Sequence, residues 1–582
     1  MSLLLLLGGC VYRSDHGVEA RTTRAMAGVE VPSGTPRRLV YDVDGDGGIW
    51  QHEVVVWSGG LAERRTQDTG ASYAFGVDDA GAWLRVQDRP VVVVDIGWEG
   101  QARREASLHG LRFARPRADD HRETLGRYPT GWDIGFRAAD ADSMVLSVDQ
   151  IEALPFAVDT FDPWARVETC ADLEWARSAD GMVLRRARCG TSNGGDRTHA
   201  TRFSVTRRLT EQEALDEPPA WARPDARKAP PPRPRSRAFA IDDPTRIEIP
   251  VRLGDGPEVA LVLDTGAFHT VINEEVARRS GVVPTGEAPL FADGPWVGRA
   301  VDWIGVVDRL EIGGLTLHGL RVLVTDLPTI PTGLLGRDAL RRVVLDLDSP
   351  RGEVTFWGRD AFTPDDRMDR LRLRRGRARV GVDGVVTGDM LLDSGAPLNV
   401  VVHDYRMALA HPRRRGQDAF LSAQDSTHSP DYHTHIRGLT LGRFHLPRME
   451  AIGRDRERDA LGGGVGIVGM GVMRHFRLAF DVSGGWLHVA PGDSYRLLQR
   501  AGLEIADGPL GPTVDGVVRG SPAEQAGLRV GDLVIAIDGV GDDEVRAMRR
   551  RLADHREAYA RLVISRDGYQ RDVGLTLSAR PR

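Results

Sequence analysis

Two stretches decide how this chain is read: Ala260-Leu261-Val262-Leu263-Asp264-Thr265-Gly266-Ala267 and Gly388-Asp389-Met390-Leu391-Leu392-Asp393-Ser394-Gly395-Ala396. In each, an apolar run of strand length leads straight into an acid, a hydroxyl and a glycine. Each is followed by an apolar-apolar-Gly turn, Gly333-Leu334-Leu335-Gly336 and Gly466-Ile467-Val468-Gly469, which lies 72 residues past Asp264 and 76 past Asp393. Beyond that glycine the copies align without gaps at an offset of 133: Leu340 on Met473, Val343 on Phe476, Asp348 on Asp481 and Gly352 on Gly485. Residues 239–490 therefore read as an internal duplication, with lobes at 239–362 and 363–490.

Paired carboxylates have a specific use. One accepts a proton from water while the other, protonated, polarises a carbonyl. Held together they cannot easily both ionise, so their titrations split. The apolar strand buries the approach to each Asp. The Thr265 or Ser394 hydroxyl is available to tie loops together, and Gly266 or Gly395 permits a turn where a side chain would clash.

In these residues and the two later turns the chain resembles the retropepsin-like, pepsin-type aspartic proteases, over somewhat under half its length. The resemblance implies a pseudo-two-fold acid protease domain in one polypeptide, with Asp264 and Asp393 as the catalytic pair and Thr265, Gly266, Ser394 and Gly395 supporting the active-site loops. It implies an aspartic endopeptidase acting on peptide or protein substrates without a cofactor. Phe268 and Pro397 stand where that family commonly has Ser or Asp. The rival reading is the same fold without activity, serving as a binding protein at the cell envelope. It would be favoured by separated carboxylates or by Phe268 plugging the site.

Residues 491–582 carry a second signature. Gly516-Val517-Val518-Arg519-Gly520-Ser521-Pro522-Ala523-Glu524-Gln525-Ala526-Gly527-Leu528 leads into Val530-Gly531-Asp532-Leu533-Val534-Ile535-Ala536-Ile537-Asp538-Gly539. This resembles a bacterial PDZ domain. The resemblance places Arg500-Ala501-Gly502-Leu503 at the loop that captures a C-terminal carboxylate, with the peptide adding as a strand. A docking role without peptide binding stays open.

The N-terminus, Leu7-Gly8-Gly9-Cys10 after a five-leucine run, resembles a bacterial lipoprotein signal (residues 1–10), although its apolar run is short and no Lys or Arg precedes it. The resemblance implies acylation of Cys10, a cell-envelope location facing periplasm or exterior, and membrane contact through the lipid anchor alone. No apolar run reaches the ~18 residues of a spanning helix. Cys170 and Cys189 then remain as an even pair, expected to form a disulfide in an oxidising compartment.

Residues 31–212 read as short strands with turn signals, a β-rich domain without a catalytic signature, and 213–238, with Pro230-Pro231-Pro232, as an extended linker. The whole is therefore expected to be mainly β and multidomain. Asp68-Thr69-Gly70-Ala71 repeats the site's letters, but the polar Arg64-Arg65-Thr66-Gln67 precedes it, so a surface turn is expected. Asp42, Asp44, Asp46 and Glu53 match a calcium-loop spacing, yet strand-like flanks favour an acidic hairpin turn. No metal site is assigned. His428, His433 and His435 read as a solvated loop. A net charge of −6 with scattered basic residues gives no nucleic-acid surface.

Overall fold

The duplication reappears as geometry. Gly333–Leu335, Arg337–Leu340, Val343–Asp348 and Glu353–Gly358 recur as Gly466–Val468, Met470–Met473, Phe476–Asp481 and Trp486–Pro491, each shifted by 133 residues. The strand Glu248–Leu253 recurs at Arg377–Val382, 129 residues on, which is also the separation of Asp264 and Asp393. The computed structural model of the chain describes residues 35–94, residue 109, the strands between 121 and 224, and residues 235–286, 302–402, 414–416, 431–454 and 465–579, short turns within these stretches excepted.

Each lobe threads its aspartate strand against the apolar-Gly strand. Val262 and Leu263 pair in parallel with Leu334 and Leu335, which run antiparallel to Val271–Ile272. In the second lobe Met390, Leu391 and Leu392 pair in parallel with Gly466, Ile467 and Val468, which oppose Val400–Val402. A parallel pair needs a long crossover. That is why the two landmarks are neighbours in space though some seventy residues apart in sequence. These strands are buried on both faces, hence their near-continuous apolar letters.

The lobes share a run of six strands within a larger continuous sheet. At its centre Val343–Asp348 pairs antiparallel with Phe476–Asp481, flanked by Glu353–Gly358 and Trp486–Pro491 and then by Phe239–Ala240 and Asp369–Arg374. One apolar core runs through both lobes and this sheet, including Leu263, Leu335, Leu345, Phe356, Leu392, Val468, Phe476 and Phe480.

Ahead of the lobes lies a 13-stranded antiparallel sheet, two meanders joined where Arg37–Gly45 pairs with Arg202–Ala214. Its hairpins resolve several expectations. Arg37–Gly45 and Gly48–Trp57 pair with Gly45 opposite Gly48, so the acidic segment is a hairpin. Asp42 and Asp44 are exposed, while Glu53 is taken by Arg38 and Arg64. Asp46 lies outside the described residues. Asp68–Gly70 is an exposed turn between strands, with Gly70 at φ +89°. Cys170 and Cys189 are directly opposed on paired strands and joined by a disulfide.

Part of the stretch read as linker is packed rather than extended. Leu215, Trp221 and Ala222 cover Val55, Ala62, Ala74 and Trp83 on the sheet, and Ser236 hydrogen-bonds with Phe356 of the shared sheet. The N-terminal sheet also docks on the first lobe. Val283 and Val306 enter its apolar core, the Arg65 guanidinium and the Tyr73 hydroxyl donate to Thr285 O (3.2 and 3.0 Å), and Arg89 pairs with Asp308.

The helix Asp493–Ala501 has two apolar faces. Tyr495 and Leu498 belong to the protease core, and Leu497 and Ala501 to the core of the C-terminal unit. That unit is a sheet ordered Leu503–Gly508, Gly511–Val517, Leu533–Ile537, Tyr559–Arg566, Tyr569–Thr576, with the helix Val545–Ala553 against it. It is fixed to the second lobe by Arg474, which pairs with Glu504 (2.5 Å) and Asp515 (3.2 Å), and by His475 beside Glu504. Burial would raise the Glu504 carboxyl, but His475 and Arg474 override it and hold it at about 2.

Candidate active site

Asp264 and Asp393 end their strands at the junction of the lobes, where each carboxyl abuts the glycine of the opposite loop. Both are partly exposed, so the pair opens to solvent on one side. The loops are locked crosswise. Thr265 N–H donates to Ser394 Oγ (3.0 Å) and Ser394 N–H to Thr265 Oγ1 (2.9 Å). In turn Thr265 Oγ1 donates to Leu392 O and Ser394 Oγ to Leu263 O, both at 2.7 Å. Each hydroxyl thus accepts from and donates to the opposite lobe, and both side chains are buried. Such a reciprocal set specifies one relative position of the two loops.

The glycines are required by the opposite carboxylate rather than by backbone twist. A Cβ on Gly266 would lie 2.5 Å from both oxygens of Asp393, and one on Gly395 2.7 Å from Asp264 Oδ2. Any side chain there would push the acids apart. Gly336 and Gly469 play a matched part: a Cβ on either would overlap the backbone of His269 or of Leu398.

The two carboxyls are not equivalent. Asp264 Oδ1 accepts from Gly266 N–H and Ala267 N–H, both at 2.8 Å, whereas Asp393 Oδ1 accepts from Gly395 N–H at 2.9 Å. Burial raises Asp264 above the usual carboxylate range, against the pull of the two amides. Burial and the charge of Asp264 raise Asp393 well above it. Both shifts favour a pair that holds a proton, and the second amide favours the charge on Asp264.

Phe268 does not plug the site. Its ring lies under the Arg337 guanidinium, 4.1 Å from centroid to Cζ. Three residues that matter here escaped the sequence reading: Thr270, Arg337 and Asp338. Asp338 accepts from Thr270 N–H and Oγ1, and Thr270 Oγ1 accepts from Gly336 N–H, which pins the glycine turn to the aspartate loop. The available signal was the polar Arg337-Asp338 directly after the apolar turn, at a place where the second copy has Met470-Gly471.

Residues 249–339 match the family model described as aspartyl protease. This part of the chain is similar to the aspartyl proteases. The matched span is the first lobe with its Asp264 and Gly336 landmarks. Residues 513–540 match the model of the PDZ domain, within the C-terminal unit. Among solved structures, the aspartic proteinase from Irpex lacteus aligns over 44% of this chain and 98% of its own, with 12% identity and a TM-score of 0.31. No curated protein matches the chain.

Within the PDZ unit the expected carboxylate loop is not formed as read. Arg500 and Ala501 are the last turn of a helix, and Gly502, at φ +64°, is its left-handed cap, with its N–H donating to Leu498 O. The Arg500 guanidinium is buried and donates to Leu552 O and Ala553 O at the end of the facing helix and to Ser578 O. It satisfies helix carbonyls that lack intrahelical partners. Leu503 is buried in the sheet. At the edge of the sheet the strand Leu503–Gly508 faces the helix Val545–Ala553, and Arg549 Nε donates to Ile505 O (2.6 Å). His433 and His435 lie on the strand Asp431–Ile436 rather than in a loop, and His428 and Cys10 lie outside the described residues.

Proposed function

We propose that the protein is an aspartic endopeptidase that hydrolyses peptide bonds with water activated between Asp264 and Asp393. The observation that carries this reading is the crosswise Thr265–Ser394 lock, which holds each carboxyl against the glycine of the opposite loop at the junction of the lobes. Asp264, favoured as carboxylate by two amides, removes a proton from the water. The resulting hydroxyl oxygen bonds to the scissile carbonyl carbon as Asp393 delivers its proton to the carbonyl oxygen. Collapse of the tetrahedral intermediate breaks the C–N bond. The proton held by Asp264 passes to the leaving nitrogen, and Asp393 recovers one from the intermediate's hydroxyl. No cofactor enters this cycle.

The PDZ domain then recruits a substrate or partner. A peptide adding to the edge strand Leu503–Gly508 would replace Arg549 at Ile505 O. Acylation at Cys10 would tether the whole to the envelope membrane. The test is incubation of the purified chain with a peptide library, read by mass spectrometry, beside Asp264→Ala. Cleavage lost in the variant supports the reading. Equal cleavage by both rejects it, and so does the absence of cleavage by the unaltered chain over pH 3–8.

A further inference from the structure

Among the differences between the two lobes around the dyad is one buried charge. Arg337 and Met470 are backbone equivalents: Arg337 N–H donates to Ala267 O (3.0 Å) and Met470 N–H to Ala396 O (2.8 Å). Met470 is buried in the apolar core, whereas Arg337, 4% exposed, turns its guanidinium back under the Asp264 loop. Its Nε donates to Ala267 O (3.2 Å) and Nη2 to Gly266 O (3.3 Å), while its plane covers Phe268. From the second lobe it is met by Gly376, where any Cβ would overlap Nη1.

We propose that Arg337 is a positioning residue, present in the first lobe alone, that fixes the Asp264 loop through its two carbonyls and holds the negative charge of the aspartate pair. The inference rests on the endopeptidase reading of this pair. A buried cation beside the loop favours the ionised form of any carboxyl within its reach. In keeping with that, the Arg337 charge draws the proton affinity of both Asp264 and Asp393 downward, against the larger upward effect of burial. The neighbouring charged or titratable groups do not substitute for it. Asp338, on the same short helix, is engaged by Thr270. Arg377 is buried on the facing strand, paired with Leu391, and His269 belongs to the Asp264 loop itself. Without Arg337 the pair would keep its proton to higher pH, and the loop would lose the fork that spans two successive carbonyls.

The test compares Arg337→Met, Arg337→Gln and Arg337→Lys with the unaltered chain. Two readouts are used: the pH–rate profile on a cleaved peptide, and the melting temperature against pH with and without Asp393→Asn. The second reads the pair's titration without turnover. A carboxyl whose affinity for protons is raised by folding destabilises the native state as pH rises through its folded pKa. The melting-temperature gap opened by Asp393→Asn therefore levels off at the pair's upper pKa. Expected for Met and Gln is an upward move of about one pH unit, both in that plateau and in the basic limb of the rate profile. For Lys the limb stays within a few tenths of a unit while kcat falls about tenfold, because the fork is lost. Unmoved plateaus and limbs in both Met and Gln overturn the proposal, as does full kcat in Lys. If the unaltered chain cleaves nothing, the endopeptidase reading fails, and the melting arm still decides the charge effect. If Met does not fold, Gln, which keeps donors without charge, decides it.

Discussion

At the residue scale, the proposed catalysis reduces to where one proton sits. On the proposed reading, two amides on Asp264 and one on Asp393 would make the first the base and the second the acid. Activity should therefore follow a bell in pH. The acid limb appears when Asp264 takes up a proton and no base remains. The basic limb appears when Asp393 loses its proton and no acid remains. Both are raised, Asp393 the further, so the basic limb should lie above the ordinary carboxylate range. A pH–rate profile with and without a metal chelator checks this: the bell should be unchanged by chelator. A rate that climbs steadily through alkaline pH would contradict it. Gly266→Ala tests the packing side of the same claim. Its Cβ would intrude on the Asp393 carboxyl, so cleavage should fall at least a hundredfold, and the clash should also lower the melting temperature.

At the scale of elements, the duplicated strands were legible because their letters are tied to function twice over. An apolar run on a strand buried on both faces has no polar alternation to confuse it. The 133-residue offset survived because the turn, the short helix and the shared-sheet strands are all constrained by the lobe junction. Arg337-Asp338 stands out as a polar pair after the apolar turn, but its role was not legible, since nothing in a sequence says that an arginine after a glycine will be buried. The PDZ loop was misplaced for a similar reason. Arg500-Ala501-Gly502 carries an ordinary helix ending, and only the facing helix shows where the guanidinium goes.

The N-terminal strands hold another cluster that composition hides. His52, Glu63 and Arg65 are all buried, with His52 Nδ1 3.1 Å from Glu63 and Arg65 Nε 2.5 Å from it. Burial, and then the Arg65 charge, push His52 down to about 4. Unfolded His52 takes a proton near pH 6.5, which the native site refuses until about pH 4. The native state therefore loses stability as pH falls through that window, by up to roughly 3 kcal/mol for a shift of this size. Glu63 adds to the loss at lower pH still, because Arg65 and His52 override its burial and hold it well below its ordinary value. Thermal melts from pH 7 to pH 4 should fall steeply in the unaltered chain and less so in His52→Gln. Parallel curves would contradict the assignment.

At the scale of the molecule, three units are joined by packed contacts. The N-terminal sheet holds the first lobe through Thr285 and Asp308, and the helix Asp493–Ala501 is shared by the protease and PDZ cores. If Cys10 carries the anchor, Cys10→Ser should move the protein from membrane to soluble fractions, and mass spectrometry of the mature N-terminus should find acyl chains on Cys10. An unmodified Cys10 would rule the anchor out. The central claim is that one polypeptide brings two aspartates together from duplicated lobes. Its most direct measurement is the cleavage rate of Asp264→Asn and of Asp393→Asn, each purified with its fold checked by melting. The account predicts that either substitution alone lowers the rate by at least about a thousandfold, some 4 kcal/mol of barrier, while the chain stays folded. Full activity in either single variant would contradict it.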